Sequence, residues 1–114
     1  MKFCAIMTDY ISEWCKEYGI RVTWDYGELP GFIMGECSRW NNLPDYNRIV
    51  INEKLRDWVG EQETQWHEFS HALAWQKDHE TGHGDAFWKW YKVRYNMVDR
   101  IFWGIAQSIH VLLH

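Results

Sequence analysis

The chain has 114 residues, of which 46% are hydrophobic and 18% aromatic, and its formal net charge is −4. This length and composition predict one folded domain over residues 1–114 and exclude a disordered chain. The negative charge argues against a basic nucleic-acid-binding module, because affinity for DNA comes largely from neutralising its phosphates.

The cysteines indicate a reducing compartment. Cys4, Cys15 and Cys37 are odd in number and widely spaced, and they form no C-x-x-C pair. Neither a disulfide framework nor a zinc knuckle fits that pattern, so we expect reduced thiols in a cytoplasmic protein. Asp9 and Glu13 interrupt the N-terminal segment too early for a signal peptide.

The first half of the chain predicts one helix followed by three strands. Apolar residues recur at helical spacing from Phe3 to Tyr18, and Gly19 is a plausible C-terminal stop. The segment 20–27 alternates apolar and polar residues, which is typical of a half-buried strand. A second strand is predicted within 28–40 and a third, rich in β-branched residues, within 48–55.

The second half predicts helices. A long helix is expected from Val59 to about Gln76, a glycine-containing loop over 78–85, and a further helix from Ala86 to about Tyr95. The apolar segment Asp99–Leu113 is shorter than a bilayer requires, so we expect it to be a helix packed on the core and expect no membrane partner. A small three-stranded sheet with helices on it is an α+β domain.

The long predicted helix contains the pattern H-E-x-x-H at His67, Glu68 and His71. Positions i and i+4 lie on one helix face with Cβ atoms roughly 5–6 Å apart, so two imidazoles can converge on one metal ion. Glu68 is turned by about 100° from His67, which suits it to act as a general base on a bound water. The alternative is that these histidines are incidental surface residues; the pattern favours a metal site.

A catalytic zinc ion usually has a third protein ligand, and the predicted loop offers three candidates. His83 lies between Gly82 and Gly84, which permit tight backbone geometry. Glu80 would complete a set of two histidines and one carboxylate, which is also a known catalytic arrangement. His79 is the third candidate, and its position beside Asp78 is also compatible with a solvent-exposed residue that binds nothing.

These motifs resemble the SprT-like (Spartan-type) zinc metalloproteases. That family carries H-E-x-x-H-A, a variable loop, and then G-H-G-x-x-F. The matching residues here are His67, Glu68, His71, Ala72, Gly82, His83, Gly84 and Phe87. The strand segments GFIMGECSRW and RIVINEKL are also similar, with Asn52 in the matching place, so the resemblance spans most of Ile20 to Trp90.

The resemblance implies a minimal zincin-like metalloprotease domain. Its zinc ion, Zn2+, would be held by His67, His71 and His83, with Glu68 as general base and a protein or peptide as substrate. The resemblance also allows a substrate among DNA-associated proteins, but the family members that act on these carry extra DNA-binding parts, and we identify none in this sequence. After G-H-G the chain has Asp85-Ala86 where the family often has Pro-Glu, which puts any role of that glutamate in doubt.

Two alternatives to the protease remain open. One is a zinc-stabilised binding module without turnover, which would unfold when zinc is removed. The other is a DNA-associated protein, whose binding would depend on salt. The net charge does not support DNA binding, and a solvated helix face explains the basic residues near the C-terminus, Lys89, Lys92, Arg94 and Arg100.

Overall fold

The computed structural model describes residues 9–58 and 60–95, which form an α+β fold. The helices and strands, in chain order, are α1 (Tyr10–Tyr18), β1 (Val22–Gly27), β2 (Gly35–Arg39), β3 (Asn47–Asn52), α2 (Glu61–Asp78) and α3 (Asp85–Tyr91). Short 3₁₀ turns at Trp40–Asn42 and Glu53–Leu55 flank β3. The helix predicted over Asp99–Leu113, and the position of Cys4, lie outside the described residues.

Helix α1 begins and ends at recognisable caps. The Asp9 side chain accepts a hydrogen bond from the Ser12 N–H, which satisfies one of the free donors of the first turn. Gly19 ends the helix in the left-handed conformation, at φ 68°. The predicted stop at Gly19 is therefore confirmed, whereas the predicted start at Phe3 lies outside the described residues.

The sheet has three strands in the order β1-β3-β2, with β1 parallel and β2 antiparallel to β3. Its register places Trp24 and Cys37 on either side of Ile49. Ile49 and Ile51 are fully buried, whereas Val50 between them is only half-buried on the opposite face. The sheet therefore has one core-facing side, and β2 forms an edge strand beside α2 within the part of the chain that the structure describes.

Aromatic side chains from α1, α2 and α3 fill the core. Trp14 meets Trp66 edge to face with 4.9 Å between ring centroids, and Trp66 stacks on Phe69 at 5.6 Å. The Arg94 guanidinium lies 4.8 Å from the Trp66 ring and donates a 2.8 Å hydrogen bond to Glu17. Trp14 near the start of the described chain and Arg94 near its end thus both contact Trp66 of α2, the helix that carries the H-E-x-x-H motif, and these contacts hold that helix in place.

Over residues 9–58 and 60–95, no helix has both the length and the apolar character needed to cross a membrane.

Candidate metal centre

Helix α2 is a rigid and largely buried support for the motif. It contacts the sheet on one side and both α1 and α3 on others. Glu61 and Glu63 in its first turn complement the positive end of the helix dipole. The buried Glu61 carboxylate also accepts hydrogen bonds from the Tyr26 hydroxyl and, at 2.7 Å, from the Asp57 N–H. The long predicted helix is thus confirmed, although Val59 itself is not among the described residues.

The C-terminal end of α2 fixes where the ligand-bearing loop begins. His79 adopts the left-handed conformation, with φ 54° and ψ 36°. The His79 N–H donates to the Trp75 carbonyl oxygen at 2.9 Å, the bond of a left-handed helix end, and the Glu80 N–H donates to the Ala74 carbonyl oxygen at 3.1 Å. The backbone of His79 therefore ends the helix, and its exposed side chain is not part of the histidine cluster.

The following loop brings His83 back to α2 and leaves Glu80 outside the cluster. Gly82 has φ +78°, a conformation that few other residues adopt, and the chain reverses there. The Glu80 carboxylate accepts a 2.8 Å hydrogen bond from the Ala86 N–H at the start of α3. Of the three candidates for the third ligand, only His83 lies beside His67 and His71.

Helix α3 is shorter than the sequence predicted. It was expected to reach Tyr95 but ends at Tyr91. Beyond that point the N–H groups of Val93 and Arg94 donate to the carbonyl oxygens of Trp90 and Tyr91, three residues earlier, at 3.0 and 3.3 Å. This spacing is that of a 3₁₀ turn, which commonly tightens the end of an α-helix.

His67, His71 and His83 offer nitrogen atoms that all lie within 4.8 Å of one another. The Nε2 atoms of His67 and His83 are 3.2 Å apart, and the rings of His71 and His83 have centroids 4.7 Å apart. A tetrahedral ion with bonds of about 2.0–2.1 Å separates its ligand nitrogens by roughly 3.3 Å. The three residues are therefore close enough to bind one metal ion, and they are the one such group within residues 9–58 and 60–95.

Phe87 contacts all three histidine rings. Its ring centroid lies 4.9 Å from that of His67, 4.4 Å from His71 and 4.8 Å from His83. Phe87 is itself fully buried and stacks on Tyr91 in the same helix, with 5.8 Å between ring centroids. The phenyl ring thus limits how far each imidazole can rotate.

Burial keeps the three imidazoles in the form that binds metals. It lowers the pKa of His67 well below the usual range, and nearby His71 and His83 lower it further. Burial, followed by the proximity of His83, lowers the pKa of His71 to about 3, against the opposing effect of a hydrogen bond with the Gly82 backbone. His83 is exposed as a residue, but partial burial of its ring also lowers its pKa. All three are therefore neutral near pH 7 and can donate a lone pair to a cation.

Glu68 lies buried between α2 and β2, with 6% of its surface exposed. Burial, and then the charge of Glu36, raise the pKa of Glu68 to about 8. A cation bound at the neighbouring histidines would favour the carboxylate and so lower this pKa. The ionised form, which a bound cation would favour, is the form that can accept a proton as a general base.

Gly35 makes room for Glu68, and the sequence analysis did not identify it as a site residue. A Cβ atom on Gly35 would lie 3.0 Å from the Glu68 Cγ and 3.3 Å from its Oε2. Strand β2 can therefore pass this close to the carboxyl group only because position 35 has no side chain. The available signal was an isolated glycine inside a predicted strand, which often marks a close approach of the backbone.

Comparison of the chain with protein-family models, with curated proteins and with solved structures finds no match.

Proposed function

We propose that the protein is a zinc-dependent metallopeptidase in which His67, His71 and His83 hold the ion and Glu68 is the general base. The observation that carries this proposal is the convergence of three imidazoles, two from α2 and one from the loop after it. The buried Glu68 follows His67 directly in the same turn of α2. Catalytic zinc sites keep three protein ligands and an open position, whereas structural sites are closed by four. Within the described residues, three histidines lie close enough together to act as such ligands.

The chemistry follows from the properties of these groups. When bound, zinc supplies Lewis acidity, which polarises a peptide carbonyl and lowers the pKa of a water molecule. Glu68 then accepts a proton from the attacking water and donates it to the leaving nitrogen. Burial raises the pKa of Glu68, and a higher pKa makes the ionised carboxylate a stronger base toward the proton of the water.

We also infer that the fold is zincin-like and of the SprT type. Three features support this inference beside the sequence resemblance: the motif lies on a buried helix, the third histidine comes from the loop after it, and a strand borders Glu68. Asn52 ends β3 and donates a 2.7 Å hydrogen bond to the Ile33 carbonyl, which holds the chain segment that leads into β2. The proposed substrate class is a protein or peptide.

The test compares purified wild-type protein with Glu68→Gln. We expect equal zinc content by elemental analysis, and casein hydrolysis that falls by about 10²–10⁴-fold in the variant, because the amide cannot accept the proton. Glu53→Gln is the matched control, since Glu53 is exposed in the 3₁₀ turn after β3 and should leave activity unchanged.

Equal hydrolysis by the wild type and Glu68→Gln would contradict the general-base role. Zinc binding by a protein that shows no hydrolysis, and that unfolds when zinc is removed, would instead support the non-catalytic binding module.

A further inference from the structure

Glu80 is anchored at both its backbone and its side chain. Its N–H donates to the Ala74 carbonyl at 3.1 Å, as part of the C-terminal end of α2. Its carboxylate Oε1 accepts the hydrogen bond from the Ala86 N–H at 2.8 Å, in the first turn of α3. The side chain therefore closes the loop of residues 81–85, with His83 at the centre.

Glu80 also contacts the main chain directly after His83. A Cβ atom on Gly84 would lie 2.7 Å from the Glu80 Oε1 and 3.1 Å from its Cδ. The carboxylate can thus lie across the backbone of Gly84 only because that residue has no side chain. This contact and the bond to Ala86 fix the loop on the C-terminal side of His83.

His83 is the least constrained of the three histidines. His67 is 2% exposed and lies in the middle of α2, and His71 is half-buried one turn later. His83 is exposed and lies in the loop between two helices. Its alignment with the other two rings therefore depends on the conformation of residues 81–85, and ordering such a loop on binding would cost conformational entropy.

We propose that Glu80 is a positioning residue that holds His83 in place for the metal ion, and that it is not itself a ligand. The inference rests on the proposed function, because it takes zinc as the ion bound by the three histidines. Removal of a group that orients a metal ligand typically weakens metal affinity by about 10–100-fold. We expect a loss of that size when the Glu80 side chain is removed.

The first experiment measures zinc affinity by competition with a chromogenic chelator for the wild type, Glu80→Ala and Glu80→Gln. Glu80→Ala should bind zinc about 10–100-fold more weakly. Glu80→Gln retains an oxygen that can accept the Ala86 hydrogen bond, so its affinity should stay close to that of the wild type. Equal affinity in the wild type and Glu80→Ala, or an equal loss in both variants, would overturn the proposal.

The second experiment asks whether Glu80 acts through His83. In a His83→Ala background, Glu80→Ala should have no further effect on zinc affinity, because there is no third imidazole to position. A general loss of stability would weaken binding by the same factor in both backgrounds, and that additive result would contradict the proposal.

A third measurement needs no metal. Amide hydrogen exchange at Ala86 should be faster in Glu80→Ala than in the wild type or Glu80→Gln, because the hydrogen bond to that N–H is lost. Unchanged exchange would overturn the role given to Glu80. Failure of the wild-type protein to bind zinc would instead overturn the proposed function, and with it the metal on which this inference depends.

Discussion

At the scale of single residues, the site depends on the histidines and the glutamate of the motif, and also on two positions that are glycine and so have no side chain. His67, Glu68 and His71 come from one turn of α2, where the spacing of the sequence already places them on adjoining faces. Gly35 and Gly84 let a carboxyl group lie directly against the main chain, Glu68 in the first case and Glu80 in the second. The site therefore requires glycine at these two positions, just as it requires histidine at the ligand positions.

The Gly35→Ala substitution tests this requirement. The new methyl group would lie 3.0 Å from the Glu68 Cγ and 3.2 Å from the Val50 carbonyl oxygen, so Glu68 or the strand must shift slightly, whereas no histidine is among the groups it meets. We expect zinc affinity close to that of the wild type and peptidase activity reduced by less than the roughly 10²-fold that a displacement of about 1 Å can cost. Zinc titration and casein hydrolysis measure the two effects separately.

The matched control is Gly27→Ala in β1. Its methyl group would meet the Val50 side chain at 2.8 Å in the same sheet, without contacting Glu68. We expect it to be destabilised by a similar steric conflict but to remain active per folded molecule. An equal loss of activity in both variants would show that sheet distortion alone explains the effect.

At the scale of elements, the helix ends determine which candidate becomes the third ligand. The residue spacing alone left His79, Glu80 and His83 open, and the choice of His83 came from the family resemblance. Helix α2 ends at His79, which has a left-handed conformation. The Glu80 carboxylate binds the Ala86 N–H of α3, and His83 lies beside His67 and His71. That outcome rests on the hydrogen bonds of the helix end and on the bond from the Ala86 N–H to the Glu80 side chain, which the residue types alone do not specify.

The His79→Gly substitution tests the role of this helix end. Glycine adopts φ values near 54° without steric cost, so we expect the free energy of unfolding to rise by roughly 0.5–1 kcal/mol. Chemical denaturation measures this change. Zinc affinity should remain unchanged; a marked loss of affinity would mean that His79 contributes to the metal site.

At the scale of the whole molecule, the order of elements could be predicted from the sequence and their arrangement could not. The alternation over 20–27 predicted β1, and the H-E-x-x-H helix was confirmed. The parallel pairing of β1 with β3, and the position of β2 at the edge beside α2, follow from long-range packing rather than from strand periodicity. It is this position of β2 beside α2 that places Gly35 next to Glu68.

The most direct test of the account is anomalous X-ray scattering at the zinc edge from crystals of zinc-loaded protein. The account predicts one strong peak about 2.0–2.1 Å from a ring nitrogen of each of His67, His71 and His83. A His83 ring turned away from the other two, with no peak among the three, would contradict it.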